Sequence, residues 1–553
     1  MQLEDEALYF VPLGGSEQFG VNLNAYIYDN QILLVDCGIG FADERFPGID
    51  LLLPDPAFLK ERKEDIVGLI VTHAHEDHVG AVAYLWERFG CPIYTGEFTA
   101  AVLEHKFRDE GLKNVPVKAV DPQARVNIGP FDVQFVSVAH SVPNSFSLII
   151  DTPQGRIVHS GDWNLDPKPV LGAPTDEKTF KDAGAQGVLA YIGDSTNAEV
   201  PGRAGSESDV EKGLEKEFKN CTGRIAVTIF SSNIGRVKSI VRAAKKCGRD
   251  VGVIGRSLHR MVGVAHSCGY LDDIPDLLNA EDLGFLPDDK VVMIVTGSQG
   301  EYRSALAKIA RGDHRDVTLN KGDTVIFSSR EIPGNERDIN AVKNNLTAAG
   351  IAVITPRDTE NVIHVSGHPC QDEIAEMLGW LRPQIVVPVH GERTQLDAHA
   401  RFARACQVQN TIIPVNGSLI KLAPGKAETV DHIETGLLAV DMKRIIPADH
   451  PSIIARRKLQ YTGVIHISIV MDAKGKVVGD LKTNLIGLID QETAESQIQD
   501  RLEDEVFALI DDMTWEERLD DHFVSEELRI GVRRFMVHTL GIKPNTTVHV
   551  IRI

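Results

Sequence analysis

Short apolar, β-branched runs recur along the chain, and each ends at a polar or glycine-bearing turn. Leu69, Ile70 and Val71 form such a run behind Gly68, which predicts a strand covered on both faces. Ala81, Val82, Leu85 and Trp86 then fall at helical spacing. Between them, His73 to His78 packs three histidines and two acids into six positions, inside a predicted strand-to-helix turn. Such a turn lies at the carboxyl edge of a sheet, where open α/β folds build their sites.

The same pattern returns further on. "VSVAHSVPNSFSLII" sets His140 at the end of an apolar run, "GRIVHSGDWNLDP" sets Asp162 just beyond another, and "QIVVPVHGERTQ" does the same with His390. His390 follows Asp162 by 228 positions, so a large insertion interrupts whatever domain these residues share. The insertion reads as its own α/β unit. Ser206, with Asp209 three residues later, predicts a helix start. Strand-like runs follow at "RIAVTIF", "DVGVIG", "KVVMIVTG", "DTVIFSS" and "IAVITPRD", separated by helical patterns, which predicts a parallel sheet. Beyond a Gly- and Pro-punctuated connection, "GVIHISIVMD", "VVGDLKTNLIGL" and "TTVHVIRI" read as strands of a separate carboxyl-terminal unit. The acidic stretch 490–527 and "RIGVRRFMVHTLG" read there as helices.

At 553 residues the chain is too long for one core. We divide it into 1–208 and 361–426, two parts of one domain, an inserted domain at 209–360, a linker at 427–453 and a carboxyl-terminal domain at 454–553. The seven cysteines are odd in number and free of C-x-x-C pairs, which argues against a disulfide framework. The acidic start "MQLEDEALYF" lacks a signal peptide's basic and apolar regions, and no stretch approaches about 20 uninterrupted apolar residues. A cytoplasmic protein with no membrane association is expected.

Imidazole and carboxylate together suit a borderline metal such as zinc. A lone histidine after a strand is usually a loop residue, but H-x-H-x-D-H in one turn points to a metal site. With His140, Asp162 and His390 the chain offers seven candidate ligands, enough for two ions.

On these residues the chain resembles a metallo-β-lactamase-fold hydrolase with a dinuclear centre. The resemblance implies that His73, His75 and His140 hold one zinc, that Asp77, His78 and His390 hold the other, and that Asp162 bridges them. Two zinc ions per chain are expected, with manganese or magnesium as alternatives supporting activity. The insertion, with Asp194 before it and "HVSGH" after it, is similar to the β-CASP domain of nucleic-acid-cleaving enzymes. "VTHAHEDHVGA", "GDSTNAE", "SSNIGRV", "TGSQGE", "PGNE", "HVSGHP" and "VPVHGE" together resemble the bacterial ribonuclease J family over essentially the whole chain. The implied fold is α/β: a metallo-β-lactamase αββα sandwich with an inserted β-CASP α/β domain and a small α/β carboxyl-terminal domain.

The resemblance also implies roles. Asp194, His368 and His390 match three β-CASP motif positions. His368 would protonate the departing 3′ oxygen, Asp194 would orient its ring, and Asp77 would orient the nucleophile as well as bind metal. Ser231, Ser232, Asn233, His364 and Ser366 look like a pocket for a 5′ monophosphate. The carboxyl-terminal domain implies association into a homodimer or homotetramer.

A net charge of −21 is by itself ill-suited to RNA. Residues 490–527, however, carry fifteen Asp and Glu against two Arg, a local −13 that leaves −8 for the rest. Arg236, Lys238, Arg242, Lys245, Lys246, Arg249, Arg256 and Arg260 face only Asp250 across 236–260, a candidate RNA-contacting run. The expected function is zinc-dependent hydrolysis of RNA, internally and from the 5′ end, in RNA maturation and decay. Alternatives are a β-CASP nuclease acting on DNA or in RNA 3′ processing, a small-molecule esterase or lactonase, and an idle RNA-binding subunit. The insertion argues against the esterase, and the full ligand set against the idle subunit.

Overall fold

A computed structural model describes residues 3–4, 6–332, 334–490 and 496–553. Pro333 of "PGNE" and residues 491–495 of the acidic stretch lie outside the described residues. The chain divides into a unit of residues 1–41 and 51–438 and a second of residues 42–50 and 439–553.

Two mixed sheets of eight and seven strands dominate the first unit. Alternate side chains from both, among them Phe10, Leu33, Ile70, Phe135, Leu148, Ile192 and Val387, pack into one continuous core. Helices Glu177–Gln186, Gln371–Leu381 and Arg393–Ala405 cover the far side of the seven-stranded sheet through Phe180, Met377, Leu381 and Ala403. In that sheet the strand Ala190–Asp194 pairs in parallel with Gly155–His159 on one side and Ile385–Val389 on the other. Asp162, Asp194 and His390 therefore emerge at neighbouring strand ends, although 228 positions separate the first from the last.

The insertion forms a five-stranded, wholly parallel sheet from Ile225–Thr228, Asp250–Ile254, Val291–Val295, Thr324–Phe327 and Ala352–Ile354. Its first helix, Glu207–Asn220, starts where Ser206 accepts a hydrogen bond from Ser208 N. Asp209 instead pairs with Lys212, so the cap is Ser206 alone.

In the second unit Val464–Met471 lies between Lys482–Ile486, antiparallel to it, and Asn545–Arg552, parallel to it. Ile465, Ile467, Ile469 and Met471 alternate inward against helices Ser496–Asp511 and Asp521–Leu540. The strand expected across "VVGDLKTNLIGL" begins only at Lys482, because Gly479 turns the chain with a positive φ of 81°. "RIGVRRFMVHTLG" is the later half of a 20-residue helix, Asp521–Leu540, rather than a helix of its own. No helix among the described residues is long and apolar enough to cross a membrane.

Candidate metal centre and nuclease site

The strand Ile66–Ile70 delivers the chain into the histidine turn, and a short helix, Glu76–Val79, closes it. Backbone bonds from Cys37 N to His78 O and from Ile39 N to Glu76 O clamp the turn from behind. Gly38 is needed there, since a Cβ would lie 1.6 Å from Asp77 O.

The seven expected ligands converge. One ligand atom from each of His73, His75, His140 and Asp162 falls within a common 4.8 Å, and so does one from each of Asp77, His78, Asp162 and His390. Asp162 belongs to both groups. Its Oδ2 lies 3.3 Å from His78 Nε2, 3.5 Å from His73 Nε2 and 3.7 Å from His140 Nε2, and its Oδ1 lies 3.8 Å from His390 Nε2. His390 Nε2 is also 3.0 Å from Asp77 Oδ2.

Buried polar atoms without partners are rare and ask for an explanation. Asp162 Oδ2 and His73 Nε2 are both buried with no hydrogen-bond partner. A carboxylate oxygen ringed by imidazole nitrogens at that depth is a place for a cation, so the residues present fit metal ions.

Partners behind the rings turn the free nitrogens inward. His78 donates through Nδ1 to Asp36 Oδ2 at 2.8 Å, and His140 donates through Nδ1 to the Gly367 carbonyl at 2.7 Å. His73 Nδ1 meets Thr72 Oγ1 at 3.0 Å, and that hydroxyl donates to Asp36. His390 Nδ1 meets Thr196 Oγ1 at 2.8 Å, and that hydroxyl donates to Asp194. Sequence reasoning missed Asp36, Thr72, Thr196 and Gly367. Asp36, at the end of the apolar run "ILLVD", carried the same strand-end signal as Asp162. Asp36 and His390 both adopt left-handed backbone, with φ of 62° and 57°.

Electrostatics separate the rings into two sets. Burial, reinforced by neighbouring His140, pulls His75 down to about 3, and burial pulls His140 to about 4, so both are neutral, ligand-ready imidazoles. Burial also opposes charge on His78 and His390, but facing carboxylates, Asp162 foremost, outweigh it and raise both. Asp162 is held well below the usual carboxylate range, against its burial, by His390, His78 and His368.

His368 and Asp194 stand beside this cluster. His368 Nδ1 is 2.8 Å from Asp194 Oδ2 and 3.7 Å from Asp162 Oδ2, and the two carboxylates lift the ring above its ordinary value despite burial. Asp77 keeps 33% of its side chain exposed and His368 20%, against 2% for Asp162, which sets these two on the solvent side. Glu373 anchors the neighbourhood. At 1% exposure it accepts from Leu165 N, Ala204 N and Cys370 N, each at 2.9 Å, tying the segments after Asp162, after Asp194 and after His368 to one carboxylate.

The five residues expected at a phosphate pocket are less concentrated. Asn233 and Ser366 line a cavity of about 30 Å³ beside His140, with Asp166 and Glu207. His364 is 3.3 Å from Arg236 Nη1, and Ser231 and Ser232 lie in the turn before helix Ile234–Lys246. Asn233 caps that helix by accepting from Arg236 N.

The basic run also differs from expectation. Arg236 is fully buried, bound through two nitrogens to Glu207 and through Nη1 to Ser328. Lys238 pairs with Asp273, Lys246 with Glu211, Arg260 with Asp109, and Arg249 donates to the Gly223 carbonyl. Helical periodicity turned most of these cations toward acids of neighbouring segments instead of toward a ligand.

Against known families, residues 19–210 match the metallo-β-lactamase superfamily, 222–346 the ribonuclease J β-CASP domain, 352–414 the Zn-dependent metallo-hydrolase RNA specificity domain, and 452–553 the ribonuclease J carboxyl-terminal domain. Ribonuclease J of Sinorhizobium meliloti is 41% identical over all of this chain and 98% of its own length. The chain belongs to the ribonuclease J family. Ribonuclease J of Mycolicibacterium smegmatis is 34% identical over 98% of the chain and 96% of its own length. A crystal structure of a protein of unknown function from Enterococcus faecalis shares the fold, with a TM-score of 0.53 and 16% identity over 75% of this chain and all of its own. As a member of the ribonuclease J family the chain is a metal-dependent ribonuclease, with a metallo-β-lactamase domain, an inserted β-CASP domain and a carboxyl-terminal domain.

Proposed function

We propose that this ribonuclease depends on zinc and cuts RNA phosphodiesters both 5′-to-3′ from the end and internally, in RNA maturation and decay. The observation that carries the reading is the convergence of six side chains on Asp162, whose Oδ2 is buried without a partner. His73, His75 and His140 would hold one of two zinc ions, and Asp77, His78 and His390 the other, with Asp162 shared and manganese or magnesium as substitutes. Bound there, such ions supply Lewis-acid activation of water and neutralise charge at phosphorus.

The chain's own groups do the rest. Asp36, Thr72, Thr196 and the Gly367 carbonyl hold the rings in the required tautomers. Asp77, on the solvent side, orients the attacking water. His368, whose protonated form the neighbouring Asp194 favours, delivers a proton to the departing 3′ oxygen. Ser231, Ser232, Asn233, His364 and Ser366 form the proposed 5′-monophosphate pocket, a short step from His140.

We assign the domains to residues 1–208 with 361–426, 209–360 and 454–553, with a linker at 427–453. The carboxyl-terminal domain is the proposed seat of dimer or tetramer formation, supported by its exposed Tyr461, Trp515 and Ile551. The seven cysteines are free thiols, which suits the reducing cytoplasm.

The test incubates the protein, loaded with zinc or manganese, with matched RNA and DNA labelled at each end. RNA alone should be cut. RNA with a 5′ monophosphate should be trimmed to mononucleotides, whereas triphosphorylated RNA should be cut only internally. Ser366→Ala should slow trimming more than internal cleavage. Equal trimming of both 5′ ends would refute the pocket, and equal cleavage of DNA would favour the DNA-acting alternative.

A further inference from the structure

Most cations of the β-CASP domain are neutralised internally, as Arg236 and Lys238 are. Arg330 differs. It follows the strand Thr324–Phe327, at the sheet edge from which the chain later returns to His368. Its side chain is exposed, and no carboxylate among the described residues forms an ion pair with it. Among the described residues its one hydrogen-bonded side-chain partner is neutral: Nη1 donates to Asn197 Oδ1.

Asn197 is itself fixed. It is 1% exposed and donates through Nδ2 to Ser366 Oγ at 2.8 Å and to the His368 carbonyl at 3.1 Å. One amide thus joins the guanidinium to the loop that carries His368. From the other side, buried Gln299 donates to the Arg330 carbonyl at 2.8 Å and accepts from Ile332 N at 2.9 Å, which fixes the backbone. The result is a full positive charge held in one place, one amide away from Ser366 and the His368 backbone. A guanidinium with one nitrogen anchored keeps its Nε and Nη2 edge for two oxygens of one phosphate.

We propose that Arg330 is a phosphate-binding residue for the RNA strand, gripping either the terminal monophosphate or a backbone diester beside the scissile bond. The inference rests on the family's action on RNA and not on the metals or on the proposed 5′ pocket. Arg330 does not line that cavity, whose carboxylates are those of Asp166 and Glu207; the two share a neighbour in Ser366, which lines the cavity and accepts from Asn197.

The experiment measures binding of labelled single-stranded RNA, carrying either a 5′ monophosphate or a 5′ hydroxyl, as a function of salt. Arg330→Gln should weaken binding about tenfold and lower the slope of log affinity against log salt by about one, as for loss of one phosphate contact. Arg330→Lys, which keeps the charge but not the fork, should fall between. A loss confined to monophosphorylated RNA assigns the terminal group, and equal loss on both RNAs assigns a backbone diester. Lys216→Gln, an exposed cation on helix Glu207–Asn220, is the control for a diffuse field. Unchanged affinity and slope in Arg330→Gln, or an equal loss in Lys216→Gln, would overturn the proposal. Because the readout is affinity, its failure is separable from failure of the proposed zinc chemistry, which would remove turnover alone.

Discussion

Two charged runs of this chain have opposite fates. Residues 73–78 sit in a turn at a strand end, and four of their side chains, His73, His75, Asp77 and His78, converge on Asp162 with His140 and His390 from two other segments. Residues 236–260 span two helices and a strand, and their cations diverge toward separate acids. Density of charge in sequence therefore does not make a site. Convergence requires a turn that frees side chains from helical periodicity, and a sheet edge that brings other strand ends to the same point.

The sharpest break of the comparison is Asp162→Ala, which removes the point of convergence. Hydrolysis should be abolished and bound metal lost, with circular dichroism nearly unchanged, and full activity at wild-type metal content would dissolve the assigned centre. Next comes His368→Ala, which leaves the seven ligands in place. The expected result is a kcat lower by about 10²–10⁴-fold with RNA affinity retained, as for a proton donor acting in the transition state. A matching loss of affinity would make it a binding residue instead.

Arg236→Met tests the other run. It leaves Glu207, 14% exposed and still bonded by Ser239, without its cation, and breaking a largely buried ion pair in this way costs about 3–5 kcal/mol, readable as a lowered urea midpoint. Were Arg236 a ligand contact, RNA affinity would fall and stability would hold.

The smallest effect extends the comparison to an imidazole that neither run claims. His399 is buried beside Ser195 with its Nε2 unpartnered, and burial pulls it from 6.5 to about 4. The unfolded chain binds the proton more readily, so this contribution to stability is complete above pH 6.5 and is lost as pH falls toward 4. Removing the group in His399→Gln should flatten the stability curve across that window by on the order of 3 kcal/mol, at about 1.4 kcal/mol per pH unit. A variant curve parallel to the wild type would show that His399 is not held neutral.

Much of the fold was legible because it rests on local periodicity. The five parallel strands of the insertion, the turn at His73–His78 and the strand ends at His140, Asp162 and His390 all follow from runs of branched apolar residues. The late start of Lys482–Ile486 was not legible, because Gly479 could sit in a strand or a turn until its φ was known. Nor was the burial of Arg236, since a helical arginine looks the same in sequence whether it faces solvent or a part-buried glutamate.

By itself, then, the sequence determined which residues end strands and which chemistry they carry, since alternation and residue type are properties of short segments. Tertiary structure alone decided which strand ends become neighbours. The parallel pairing of Gly155–His159, Ala190–Asp194 and Ile385–Val389 brings Asp162, Asp194 and His390 together. It also decided which polar groups stand behind the ligands. Asp36, Thr72, Thr196 and Glu373 act through hydrogen bonds that reach distant segments, and no local pattern encodes a bond whose partner lies far along the chain.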